Sequence, residues 1–215
     1  MYKKKPLFIV FEGIEGSGKS FQAKKLFNNL KKISINSILT REPGGTKGAE
    51  EIRKIILKDY FEKNKKIKFD KYTDTLLYLA ARNEHIKNKI KPALDKKRVV
   101  ICDRFIDSTL AYQVYGKQVN RYFIDHIHKF ILQGLKPNLT FILKVSSQSS
   151  KLRLKKRRTK NRYDNFSQSF YTKAQNSFLK IAKNKKNYFI LNTSKNDNKT
   201  EKIIFNIVKK YLNII

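Results

Sequence analysis

Residues 7–20 read LFIVFEGIEGSGKS, and this stretch decides the fold. Residues 7–11 are all apolar, a run with the length of a short strand buried on both faces. Gly13, Ile14, Glu15, Gly16, Ser17, Gly18, Lys19 and Ser20 then fit G-x-x-x-x-G-K-[ST], the phosphate-binding loop. Its glycines let consecutive backbone N–H groups turn inward around a phosphate, where a Cβ at Gly13 or Gly18 would obstruct them. A helix starting near Lys19 presents the positive end of its dipole to the same phosphates. Lys19 can reach the β and γ oxygens of a bound nucleotide, and the Ser20 hydroxyl can ligate Mg2+. An ordinary glycine turn needs no such order of strand, loop and helix, so the pattern reads as a nucleotide site.

The 215 residues suffice for one domain with a substantial core, and we read residues 1–215 as a single domain. No apolar run is long enough to span a bilayer, so no membrane partner is expected. The basic start MYKKK precedes only a short apolar stretch that runs into the glycine loop, which marks a first strand and not a signal peptide. The lone cysteine, Cys102, excludes an internal disulfide framework and fits a reducing, cytoplasmic location. The formal charge of +32 invites a nucleic-acid reading. Of 49 basic residues 10 are Arg, which leaves 39 Lys, and the chain also holds 18 Asn and 24 Ile. Lys, Asn and Ile share A/T-rich codons, so mutational bias and solvated lysine faces account for the charge better than a dedicated nucleic-acid surface. The lysines are dispersed and lack the interleaved aromatics that base stacking uses.

Downstream, residues 21–30 have helical spacing and residues 37–40 form a second strand that exits into Arg41-Glu42-Pro43-Gly44-Gly45-Thr46. An arginine at a strand exit is placed for an anion. Thr46 caps a helix reaching Ile56, and the polar residues 58–70 read as a surface loop. A long helix over residues 73–90 sets Tyr78 and Arg82 four apart on one face. Taken alone, these two are a half-buried Tyr and a surface Arg. Residues 98–102 form a buried strand ending in Asp103-Arg104. In a phosphate-loop protein, that Asp suits Mg2+ and the Arg faces the phosphates, although the pair also fits a plain exposed turn. A helix over residues 105–115 puts Ser108 and Thr109 one turn from Tyr112 and Gln113. Then come a helix over 119–133, a strand over 139–145, a helix over 166–182, a strand over 188–192 and a helix over 201–212. KLRLKKRRTKNR, residues 151–162, packs eight basic residues into twelve, as a phosphate-covering lid or a charged helix end would. Short apolar strands alternating with helices predict an α/β fold with a five-stranded parallel sheet covered on both faces. Ligands then belong at the strands' carboxyl ends, where the glycine loop, Arg41 and Asp103-Arg104 all fall.

With these stretches in line, almost the whole chain resembles the thymidylate kinase family. FEGIEGSGKS, TREPGGT, LLYLAAR, DRFIDSTLAYQ and the basic segment at about 151–165 occur in that family's order. The resemblance implies the P-loop nucleoside monophosphate kinase fold, ATP as phosphoryl donor with Mg2+, dTMP as acceptor, and a homodimer. It further implies that Glu15 lies near the sugar 3′-hydroxyl and that Arg41 holds the acceptor phosphate. Tyr78 would stack on thymine, Arg82 reach its carbonyl edge and Thr109 contact the base. Tyr112 would crowd C2′ in favour of deoxyribose, with Gln113 and Ser108 nearby. Arg104 would bridge the two phosphates beside Asp103. Gly16 is neutral where some members carry a basic residue, so the lid would supply the catalytic arginine, Arg162, with Arg153 and Arg157 beside the donor. Lys144, Ser147, Arg158 and Asn161 depart from residues usual in the family. Two rivals remain at this stage. A UMP or CMP kinase is disfavoured by Tyr112, and a basic nucleic-acid-binding ATPase by the scattered lysines.

Overall fold

The computed structural model describes residues 6–62, 65–156, 167–195 and 198–214. Its main sheet holds β1 (Leu7–Glu12), β2 (Ser37–Arg41), β5 (Val99–Asp103), β6 (Leu139–Lys144) and β7 (Tyr188–Asn192), in the order β2-β5-β1-β6-β7. Each pairing in it is parallel. A separate antiparallel ribbon pairs β3 (Tyr60–Glu62) with β4 (Lys65–Ile67). The helices are α1 (Lys19–Lys32), α2 (Lys47–Leu57), α3 (Lys71–His85), α4 (Lys91–Asp95), α5 (Ile106–Thr109), α6 (Arg121–Leu132), α7 (Ser147–Lys155), α8 (Gln168–Ala182) and α9 (Lys199–Tyr211).

β1 is the centre of the sheet, and alternation along it divides the core. Leu7, Ile9 and Phe11 face α1 and α9, where they meet Leu26, Leu30, Ile204 and Val208. Phe8 and Val10 face the other way, onto Ile86, Ile90 and Phe105. A strand covered on both sides has no polar face, which is why this segment reads as one apolar run. The predicted strands, the five-stranded parallel sheet and the helices on both its faces are all present.

Three differences have physical causes. Residues 58–70 are not a plain loop, because they contain the β3–β4 ribbon. Tyr60 ties it down by donating to the Ile55 carbonyl and packing its ring 5.2 Å from that of Phe69, contacts that a lysine-rich composition conceals. The helix expected over 73–90 starts at Lys71 on the Asp70 cap and gives way to a π-helical turn, Ile86–Ile90. The helix expected over 105–115 changes from α to π at Leu110–Gly116. The wider turn buries Tyr112 and Gln113 together. Such turns are frequent at functional sites. The part of the expected lid at residues 157–166, with Arg157, Arg158 and Arg162, lies outside the described residues. Among the described residues, no helix is long and apolar enough to cross a membrane.

Candidate active site

The loop at residues 13–20 leaves β1 and enters α1, and its backbone is held from three sides. Gly13 has φ +140°, and a Cβ there would lie 2.6 Å from the Leu143 carbonyl oxygen of the neighbouring strand. At Gly18 the requirement is different. A Cβ would meet no protein atom within 4 Å, but φ is +90°, a conformation that L side chains seldom adopt. The expected clash at Gly18 is therefore one of backbone conformation, with open space left where a phosphate would sit. α7 presses on the loop from outside, with Ser150 Oγ donating to Glu15 O (2.8 Å). Arg153 donates to Gly16 O (3.0 Å) and Thr193 O (2.6 Å), so it grips the back of the loop.

Inside the loop, Lys19 Nζ donates to Ile14 O at 2.7 Å. Burial and the nearby Arg104 push its ammonium down to about 8. Ser20 Oγ donates to Asp103 Oδ2. Asp103 Oδ1 is buried with no hydrogen-bond partner among the described residues. A hydroxyl and an under-satisfied carboxylate form an all-oxygen set of the kind a hard divalent cation takes together with nucleotide phosphates. These residues therefore fit Mg2+.

Arg104 sits at φ +73°, a conformation uncommon for any residue but glycine. From there Nη1 donates to Gly13 O (2.9 Å) and Ser108 Oγ (3.1 Å), and Nη2 donates to Glu15 Oε1 (2.7 Å). The Tyr112 hydroxyl donates to the other Glu15 oxygen at 2.6 Å. Burial alone would raise the Glu15 carboxyl. The Arg104 guanidinium and the Lys19 ammonium outweigh it and hold the group below the usual carboxylate range. Ser108 Oγ also donates to the buried Glu12 (2.5 Å), whose carboxyl is pushed up to about 7 by burial and by Asp107.

Beyond this cluster lies a cavity of about 370 Å³ that runs from Lys19 and Ser20 to a wall made by Arg41, Tyr78, Arg82 and Gln113. Arg41 is exposed and leans on Glu50 at 3.1 Å. Arg82 is buried and bonded to Glu42, Thr109, His128 and the Phe105 carbonyl. The Thr109 hydroxyl therefore supports Arg82 while it lines the cavity. Tyr78 and Arg82 do share a face, one turn apart on α3. Every expected site residue in the described part belongs either to the loop or to this cavity lining.

Sequence reasoning missed Arg53, which lines the cavity and donates to Pro43 O (2.7 Å). It also missed Glu42 and His128, which bond Arg82, and His85, which bonds Glu42. A signal existed for three of them. Arg53, His85 and His128 each fall on the inward, apolar face of a helix, where an ordinary solvated residue would not be.

The family model for thymidylate kinase matches residues 11–204. A thymidylate kinase of Sulfurihydrogenibium sp. (strain YO3AOP1) is 42% identical over 184 residues, covering 86% of this chain and 87% of that protein. One of Wolbachia pipientis subsp. Culex pipiens (strain wPip) is 41% identical over 209 residues, covering 95% and 96%. The crystal structure of thymidylate kinase from Ehrlichia chaffeensis superposes with a TM-score of 0.72 at 32% identity, covering 97% of this chain and 99% of that one.

The state of Lys19 gives the site a pH signature. Nucleotide phosphates favour the charged ammonium, which the free site holds only below about pH 8. Above that pH, binding must draw in a proton, so ADP affinity falls as pH rises through 8. Calorimetry at pH 9 in buffers of different ionisation enthalpy should register proton uptake that Lys19→Met abolishes. Undiminished uptake in that variant would assign the proton elsewhere.

Proposed function

The chain belongs to the thymidylate kinase family, and from that premise we propose how its residues pass the γ-phosphoryl group of ATP to the 5′-phosphate of dTMP. The observation that carries the assignment is one continuous cavity joining the phosphate loop to the Arg41–Tyr78–Arg82 wall. The acceptor is already an anionic phosphate, so the protein has little need of a general base. Rate comes from alignment and from neutralising charge. The amides of residues 13–18 and the Lys19 ammonium hold the donor phosphates, and Arg153 keeps their loop in shape. Ser20 and Asp103 would hold Mg2+, which supplies charge neutralisation at the β and γ oxygens when bound.

Arg104 stands between donor and acceptor. Arg41 takes the acceptor phosphate, and Arg53 adds a second cation on that side. Tyr78 stacks on the thymine ring, with Arg82 and Gln113 at its polar edge. Glu15 faces the 3′-hydroxyl and fixes the Tyr112 hydroxyl, which sets the Tyr112 ring where a 2′-hydroxyl would collide. Ser108 acts through Arg104, whose guanidinium it helps hold. From the expected lid at about 151–165, Arg162, outside the described residues, would supply the catalytic arginine, and Arg157, also outside them, would bind the donor. Residues 1–215 work as one kinase domain, in the cytoplasm, without nucleic acid as a partner. The single buried thiol, Cys102, suits a reducing compartment.

The reading of a homodimer is supported by α6. Tyr122 and Phe130 are 77% and 66% exposed, and His126 lies between them, stacked on Tyr122 (5.9 Å between ring centroids) and edge-on to Phe130 (5.2 Å). Leu76 of α3 and Ile55 of α2 are also exposed apolar side chains. An aromatic ridge of this kind suits burial against a second copy.

Coupled turnover with ATP and each of dTMP, dUMP, UMP and CMP tests the activity. The highest kcat/KM belongs to dTMP, and a higher value for UMP or CMP would overturn the assignment. Arg162→Ala should lower kcat by about 10³-fold or more while the dTMP KM moves only a few fold. Near-normal turnover would transfer the role to Arg157 or Arg158. Light scattering after size exclusion should read a dimer for the native chain and a monomer for Phe130→Glu. A Phe130→Glu dimer would remove α6 from the interface.

A further inference from the structure

Arg82 is 3% exposed, and its guanidinium is held by four partners from three segments of the fold. Nε donates to Glu42 Oε2 (2.7 Å), on the segment leaving β2. Nη1 donates to Thr109 Oγ1 of α5 and meets His128 Nε2 of α6, each at 2.8 Å. Nη2 donates to the Phe105 carbonyl at 2.8 Å. A guanidinium carries five N–H groups. Four are used among the described residues, and the fifth, on Nη2, is left for whatever enters the cavity that Arg82 lines. The plane of the fork, and so the direction of that last N–H, is set by the other four.

One of these partners imposes a chemical condition. An arginine has donors only, so the contact at Nε2 exists only if His128 offers a lone pair there and carries its proton on Nδ1. A neutral ring can meet that condition. Burial and the Arg82 charge push the imidazole down to about 3, and the ring stays neutral. Without the ring nitrogen, a buried Nη1–H would lose its acceptor and the fork would be free to turn toward another.

We propose that His128, on α6 and remote from the phosphates, is a positioning residue that aims Arg82 at the carbonyl edge of the pyrimidine. This rests on the role of Arg82 in base recognition given above. It adds a specificity device. A thymine carbonyl accepts from the remaining N–H, whereas cytosine presents an amino group there, and two donors cannot pair. Discrimination against the aminopyrimidine therefore depends on how firmly the fork is held.

The test compares His128→Phe, which keeps a ring without an acceptor, with His128→Gln, which restores an acceptor oxygen, in the full chain with dTMP and dCMP. His128→Phe should raise the dTMP KM about tenfold and shrink the dTMP-over-dCMP preference similarly. Its kcat should stay within about threefold of the native value. His128→Gln should recover most of both losses. Native KM and preference in His128→Phe, or equal losses in both variants, would overturn the proposal in favour of packing alone. If His128→Phe does not fold, the ¹⁵N shifts of the native imidazole decide. A protonated Nδ1 with a bare Nε2 supports the assignment, and the opposite tautomer sinks it. Arg82→Ala separates this proposal from the reading beneath it. Unchanged preference in Arg82→Ala rejects base recognition by Arg82 itself. Lost preference there with an unaffected His128→Phe rejects only the positioning role.

Discussion

The largely buried pair between Glu15 and Arg104 is the contact on which the rest of the site depends. It joins the glycine loop after β1 to the end of β5, so one ion pair fixes two strand exits against each other. Two charges taken from water are stabilising only when their remaining donors and acceptors are filled. Here most are filled: among the described residues three of the five Arg104 N–H groups have partners. Glu15 accepts from Tyr112 as well, and Arg104 also reaches Gly13 O and Ser108. The left-handed backbone at Arg104 is unfavourable by itself, and its N–H bond to the Phe11 carbonyl (2.9 Å) helps hold it. The strain lies at the proposed meeting point of the donor and acceptor phosphates.

The sheet makes that meeting possible. β5 and β6 flank β1 on opposite sides, so their connections depart in opposite directions and leave a crevice at the carboxyl ends. Into it project the loop from β1, Arg41 from β2 and Asp103 from β5. Helices α2 and α3 then line the Arg41 side of the cavity, and α6 packs behind α3. α6 has two duties, because His128 on its inner face braces Arg82 while Tyr122 and Phe130 on its outer face stand in solvent. A partner packed on that ridge would stiffen the brace of the base site.

Much of this could be read without coordinates, and the reason is local. A phosphate loop needs its glycines and lysine at fixed spacing, and a buried strand needs an unbroken apolar run, so residues 7–20 carry their own explanation. Tyr78 and Arg82 were legible as neighbours from helical spacing. The partners of Arg82 were not, since Glu42, Thr109 and His128 lie 40, 27 and 46 residues away. No local pattern records such distances. The π-helical turn at Leu110–Gly116 was hidden for a related reason, because it depends on packing against α8 and not on propensity. The ribbon at β3–β4 was hidden by its lysines.

The large positive charge can now be placed. Among the described residues, Arg41, Arg53, Arg82, Arg104 and Arg153 line the cavity, but Lys19 is the only lysine to do so, although the chain has 10 arginines and 39 lysines. Random placement would put lysines there in the larger number. The separation follows from what each cation does. A guanidinium is planar and weakly hydrated, so it can lie half-buried with its donors aimed at carboxylates, carbonyls and phosphates. An ammonium on a long stem prefers water and covers an outer face at little cost. Where codon bias enriches lysine, it can replace other residues on solvated faces without touching catalysis. It cannot stand in for Arg82, whose five-donor fork bonds four partners at once.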